Sequence, residues 1–108
     1  MNTKDLPGLC GFSPLVPGED REIEGIFTGD LLSWAMGRCT EGQVWFTVMG
    51  NLNAVAVASL ADAAAIVLCH GATLMPDALA RARTEGINVF ATDLPEYEAC
   101  VAFAREME

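Results

Sequence analysis

The only histidine of the chain, His70, stands between a thiol and a turn residue in Cys69-His70-Gly71, where an apolar run stops. An imidazole beside a thiol has three chemical uses: it can move a proton, ligate a metal, or hydrogen-bond a small polar ligand. No nucleophile motif accompanies it, so no catalytic residue is assigned, and an enzyme using His70 as acid or base is the weakest of three readings. The four cysteines, Cys10, Cys39, Cys69 and Cys100, show no C-x-x-C or other short ligand spacing. They are expected to be free thiols on elements that the topology keeps apart, and neither a metal site nor a cofactor is predicted. Two glycine patterns that cradle phosphates, G-x-x-x-x-G-K followed by Ser or Thr and G-x-G-x-x-G, do not occur.

These residues are positioned by a strand-then-helix rhythm that repeats four times from residue 21 onward. REIEGIF, residues 21–27, reads as a strand ending in Thr28-Gly29-Asp30, and DLLSWAMG as a short helix closed by Gly37. QVWFTVM, residues 43–49, has the β-branched and aromatic content of a second strand, and the apolar segment 52–60 suits a buried helix. AAIVL, residues 64–68, is the third strand; Pro76 suits the first turn, and Gly86 the C-terminal cap, of the helix after it. INVFA, residues 87–91, is the fourth, and Asp93-x-x-Glu96 resembles a capping box opening a last helix to about Met107. Strands alternating with helices over short links imply right-handed crossovers. The predicted fold class is therefore α/β: a single small domain with a roughly four-stranded, mostly parallel sheet flanked by helices. Residues 1–20, which hold Pro7, Pro14, Pro17, Gly8, Gly11 and Gly18, read as an irregular N-terminal arm, and residues 21–108 as the α/β domain.

In an open parallel sheet, ligands favour the carboxyl ends of the strands, where helix N-termini offer unpaired N–H groups. Here those ends carry Gly29 and Asp30, Asn51 and Asn53, His70, Gly71 and Thr73, and Asp93. They are the candidate ligand-binding residues, expected on one rim, with glycine allowing close approach and Asn, His and Thr able to hydrogen-bond a small polar ligand. The competing account is that Asp, Asn, Thr and Gly cap helices and make turns whether or not anything binds.

Charge narrows the partners. Fifteen acidic residues against six basic ones give a net charge of −9, which opposes phosphate neutralisation and predicts no nucleic-acid or anionic-membrane partner. The apolar stretch 54–69 is broken by Ser59 and Asp62, so it reads as core rather than as a membrane span. The first twenty residues lack a basic region followed by an apolar one, which predicts a cytoplasmic protein. NAVAVASLA is apolar nearly all round, and the last helix presents a broad stripe including Tyr97, Cys100, Val101 and Phe103. A homodimer is expected to cover part of this surface.

Over about residues 23–104 the sequence resembles the DRTGG domain, on TGDLLSWAMG, VWFTVMGNLNAVAVASLADAAAIVLCHGA and EGINVFATDLPEYEA. This small α/β module is part of some phosphotransacetylases and CBS-domain pyrophosphatases and is related to the N-terminal region of HPr kinase. The chain is most similar to stand-alone members, some found beside iron–hydrogenase and serine-kinase genes and labelled iron–sulfur-binding hydrogenase proteins. The resemblance implies regulation and dimerisation more than catalysis. The naming residues differ, however: Asn51-Leu52-Asn53 occupies the region of the family's Gly-Asp-Arg, and Cys69-His70-Gly71 stands where Thr-Gly-Gly is expected, so only Gly71 matches there. The leading expectation is a non-catalytic regulatory or small-ligand-sensing module, homodimeric, taking a small polar ligand or nucleotide. The alternative is an accessory protein of a hydrogenase or other redox system, acting through contacts with a redox-protein partner or, less favoured, through a cluster bridging subunits.

Overall fold

Alternation along the central strands decides which helix covers which face of the sheet. In the computed structural model, which describes residues 1–107, the strands are β1 (Ser13–Val16), β2 (Gly25–Thr28), β3 (Gln43–Thr47), β4 (Ala65–Leu68) and β5 (Asn88–Ala91). Successive side chains point to opposite faces. Trp45, Ile66, Leu68 and Val89 therefore join one apolar cluster, while Val44, Phe46, Ala65, Val67 and Phe90 join another. The first face is covered by α2 (Leu32–Arg38), α3 (Leu52–Ala61) and α4 (Pro76–Glu85), and the second by α1 (Leu6–Cys10) and α5 (Glu96–Met107). The result is a three-layer sandwich, with Trp45, Phe46 and Phe103 among its largest fully buried side chains.

Strands β2 to β5 pair in parallel, as expected from the strand–helix alternation, and the sheet runs β1-β5-β4-β3-β2. The fifth strand was not foreseen. β1 lies antiparallel on β5, so residues 1–20 are not the irregular arm that their prolines predicted: they form a 3-10 turn at Thr3–Asp5, then α1, then β1. Pro14 is tolerated because β1 is an edge strand with a register shift between Pro14 and Val16, where a missing N–H breaks no ladder of a central strand.

Three smaller departures have local causes. Residues 21–24 do not begin β2: Glu22 bridges to Asn2, and the Ile23 N–H donates to the Met1 carbonyl at 2.9 Å. Gly37 lies inside α2 instead of closing it, and the cap is extended Cys39. The capping box at Asp93 does not form, because Leu94 and Pro95 stay outside the helix and α5 starts at Glu96. Pro76 at the first turn of α4 and left-handed Gly86 (φ 70°) at its C-terminus are as the sequence predicts. The all-round apolar α3 is largely covered within the chain, by the sheet beneath it and by α2 and α4 at its sides, with Leu60 left exposed near its C-terminus. Among the described residues no helix is long and apolar enough to cross a membrane.

Candidate functional site

Parallel register brings the strand ends level. Thr47 pairs with Leu68 and Leu68 with Ala91, so the connections leaving β3, β4 and β5 start side by side. Each is then tied to its neighbour. Asp30, after β2, accepts from the Thr47 hydroxyl at 2.7 Å and from the Val48 N–H at 2.9 Å. Gly50, after β3, accepts from the Met75 N–H at 2.8 Å, and its backbone approaches so closely that an added Cβ would lie 2.0 Å from the Thr73 carbonyl oxygen. His70 and Gly71, after β4, donate their N–H groups to Leu94 at 2.8 Å and Thr92 at 3.0 Å. Four connections thus form one continuous rim.

The eight candidate residues divide by what already engages them. Gly29 is held by the core, its carbonyl accepting from the Trp45 indole at 2.9 Å. Asp30 is engaged as above. Asn51 caps α3 through its side-chain oxygen, which accepts from the Ala54 N–H at 2.8 Å, so the capping account suffices for it. Asn53, His70, Thr73 and Asp93 are exposed, and among the described residues their side chains make no hydrogen bond. His70 (φ 58°) and Gly71 (φ 68°) are successive left-handed residues. That conformation costs a residue with a Cβ, and here it turns the imidazole outward at the end of β4, with Gly71 beside the Asp93 carboxylate.

Sequence reasoning missed the groups beneath the rim. One carboxyl oxygen of Glu96 is buried without a hydrogen-bond partner. Burial raises the Glu96 pKa, and the charge of nearby Asp30 raises it further, against an opposing pull from His70. Beside them the buried Cys69 thiol is pushed up to about 12, first by burial and then by the negative charges of Glu96, Cys100 and Asp30. Burial also raises Cys100, with the Thr28 hydroxyl opposing. This floor can hold a proton and accept hydrogen bonds, but its thiols are not poised as thiolates at neutral pH. Cys39 packs on the opposite face of the sheet from Cys10, Cys69 and Cys100. The sequence signal for Glu96 was present but ambiguous, since a Glu three residues after an Asp is also a capping signature.

No family model matches the chain, and no curated protein matches it in sequence. Its fold is shared with the crystal structure of the CBS and DRTGG domains of the regulatory region of a Clostridium perfringens pyrophosphatase, complexed with the activator diadenosine tetraphosphate. The superposition has a TM-score of 0.76 at 10% sequence identity and covers 93% of this chain and 44% of that one. The chain therefore spans less than half of that regulatory region, and the likeness shows the fold.

Proposed function

We propose that this chain is a DRTGG-like regulatory module that senses a small ligand at the carboxyl-end rim, does no chemistry of its own, and works as a homodimer. The observation that carries the reading is the match of 93% of the chain to a regulatory region crystallised with a nucleotide activator. The rim supports it: His70, Thr73 and Asp93 on the connections, and Asn53 in the first turn of α3, are polar, exposed and unengaged, while the connections themselves are fixed to one another. Dimerisation is supported by the outer edge of β2, which pairs with no further strand among the described residues, and by exposed Leu31, Trp34 and Met36 on and just before α2. The redox-accessory alternative draws less support, because Cys39 and Cys69 are buried and all four thiols are raised above their ordinary pKa.

The test is a thermal-shift screen of the purified chain against nucleotides and small metabolites. A ligand that binds only the folded state stabilises it by RT ln(1 + [L]/Kd), about 2.7 kcal/mol at a hundredfold excess over Kd. The reading requires a hit whose effect is lost in His70→Ala or Asn53→Ala. A broad panel without a hit, together with a monomer by light scattering, would leave a packing domain and no sensor.

A further inference from the structure

Next to the rim, on its β1 side, lies a recess of about 320 Å³ lined by Leu15, Ala72, Thr73, Leu74, Leu79, Ala91 and Arg83. We infer that it binds a small monoanion with a compact apolar body, the body lying on the three leucines and the acid group on the Arg83 guanidinium. This goes beyond the sensing proposal by adding a pocket and a ligand class beside the rim, and it rests on that reading only for the consequence of binding.

Volume and lining argue for the body. Sites for small molecules run from roughly 300 to 1,000 Å³, and this one sits at the small end, suited to a single ring or a branched chain rather than to anything larger. Leu74, Leu79 and Ala72 are only partly buried, packing against the α2–α4 side of the core with one flank left open to the recess. Leu15 is 36% exposed beside them.

Charge argues for the acid. Of the six cations in the chain, Lys4, Arg21 and Arg81 are paired with Asp20, Asp62 and Glu85. Arg83, one turn along α4 from its own wall residue Leu79, has no carboxylate partner among the described residues, in a chain of net charge −9. A guanidinium left unpaired beside apolar surface accepts a carboxylate with two parallel hydrogen bonds. The Thr73 hydroxyl, also unengaged, offers a third. A polyphosphate would bring several charges to this one cation, with the exposed Asp93 carboxylate on the neighbouring connection. A single negative charge is matched.

Occupancy would reach the rim through the loop that floors the recess. Thr73 and Leu74 are the residues against which Gly50 is packed, so a body wedged on Leu74 presses on the connection that carries Asn51.

Nuclear magnetic resonance titration of the full chain with phenylacetate, its neutral amide phenylacetamide, and adenosine monophosphate tests the inference. Phenylacetate is expected to give saturable shifts at Leu15, Leu79 and Ala91 and to bind at least fivefold more tightly than the amide. Arg83→Gln, an exposed substitution that leaves the fold intact, is expected to erase that preference without changing the affinity for the amide. Unsaturable shifts, or an unchanged preference in Arg83→Gln, would overturn it. Shifts from adenosine monophosphate at Asn51 and His70, with none from phenylacetate in the recess, would overturn the monoanion pocket and leave the sensing proposal standing. Silence from all three probes would count against both.

Discussion

The two ends of the sheet use their polar side chains differently. At the amino end the buried and half-buried ones are engaged in holding the chain together. Asn88, 5% exposed, accepts from the Gly18 N–H at 2.9 Å and donates to the Glu19 and Ala64 carbonyls. Arg21 grips Asp62 at 3.1 Å and two carbonyls of the same turn, and Asp20 accepts from Thr3 and Lys4, the Lys4 N–H contributing most to holding its carboxyl below the usual range. At the carboxyl end the backbone is equally well tied, yet four exposed polar side chains are idle and a buried carboxyl oxygen is orphaned. A polar group left without a partner at a rigid edge is what a binding surface needs and a structural joint does not.

Substitutions at the two ends should separate accordingly. The largest effect is expected from Asn88→Ala, which removes three hydrogen bonds from a buried site and leaves their backbone partners unpaired: a loss of roughly 3 kcal/mol in urea denaturation, with ligand response unaltered when scaled for folded protein. Next comes a matched pair of glycines. A Cβ at Gly18 would meet the Gly86 carbonyl oxygen at 2.2 Å, and one at Gly50 the Thr73 carbonyl oxygen at 2.0 Å. Gly18→Ala and Gly50→Ala should each cost about 2 kcal/mol through forced backbone shifts, but only Gly50→Ala should also weaken ligand-induced stabilisation in the thermal-shift screen. Equal effects on ligand response would erase the distinction between the ends.

The pattern of these residues also shows what the sequence could reveal. The four parallel strands were legible because each is a short apolar run followed by a Gly, Asn, Asp or Thr connection, and short-range chemistry decides both. The common rim was legible for the same reason, since parallel strands put like ends together. β1 was not, because its recognition depends on β5 seventy-odd residues away offering an edge that overrides the proline count. Glu96 was not, because its role is set by Asp30 across the sheet end rather than by its neighbours in sequence. The recess beside Arg83 was not, because its far wall is Leu15 of β1, the strand that the sequence did not reveal.

Two finer effects sharpen the comparison. Glu96→Gln removes the cost of charging a partly buried carboxyl beside Asp30 and should stabilise the protein by about 1 kcal/mol at neutral pH. Because the folded-state pKa of Glu96 is raised, the native chain binds this proton more tightly than the unfolded chain, so its contribution to stability falls as pH rises from the ordinary carboxylate range through the raised value, and then levels off. Asp20 and Glu85, which are lowered, act in the opposite sense at more acidic pH, so the informative quantity is the wild-type curve minus the Glu96→Gln curve. The smallest effect is kinetic. With its thiol pushed up to about 12, Cys69 should resist iodoacetamide at pH 8 in the folded protein and react only after denaturant is added.

The central claim is that the carboxyl-end rim, and not the amino end, responds to ligand. Amide chemical shifts of the chain, recorded with the strongest stabiliser found in the thermal screen, test this most directly. Perturbations are expected to cluster on residues 29–30, 50–53, 70–74 and 91–93, with Gly18, Arg21 and Asn88 unmoved. Perturbations centred on Gly18, Arg21 and Asn88, or spread evenly over both ends, would contradict it.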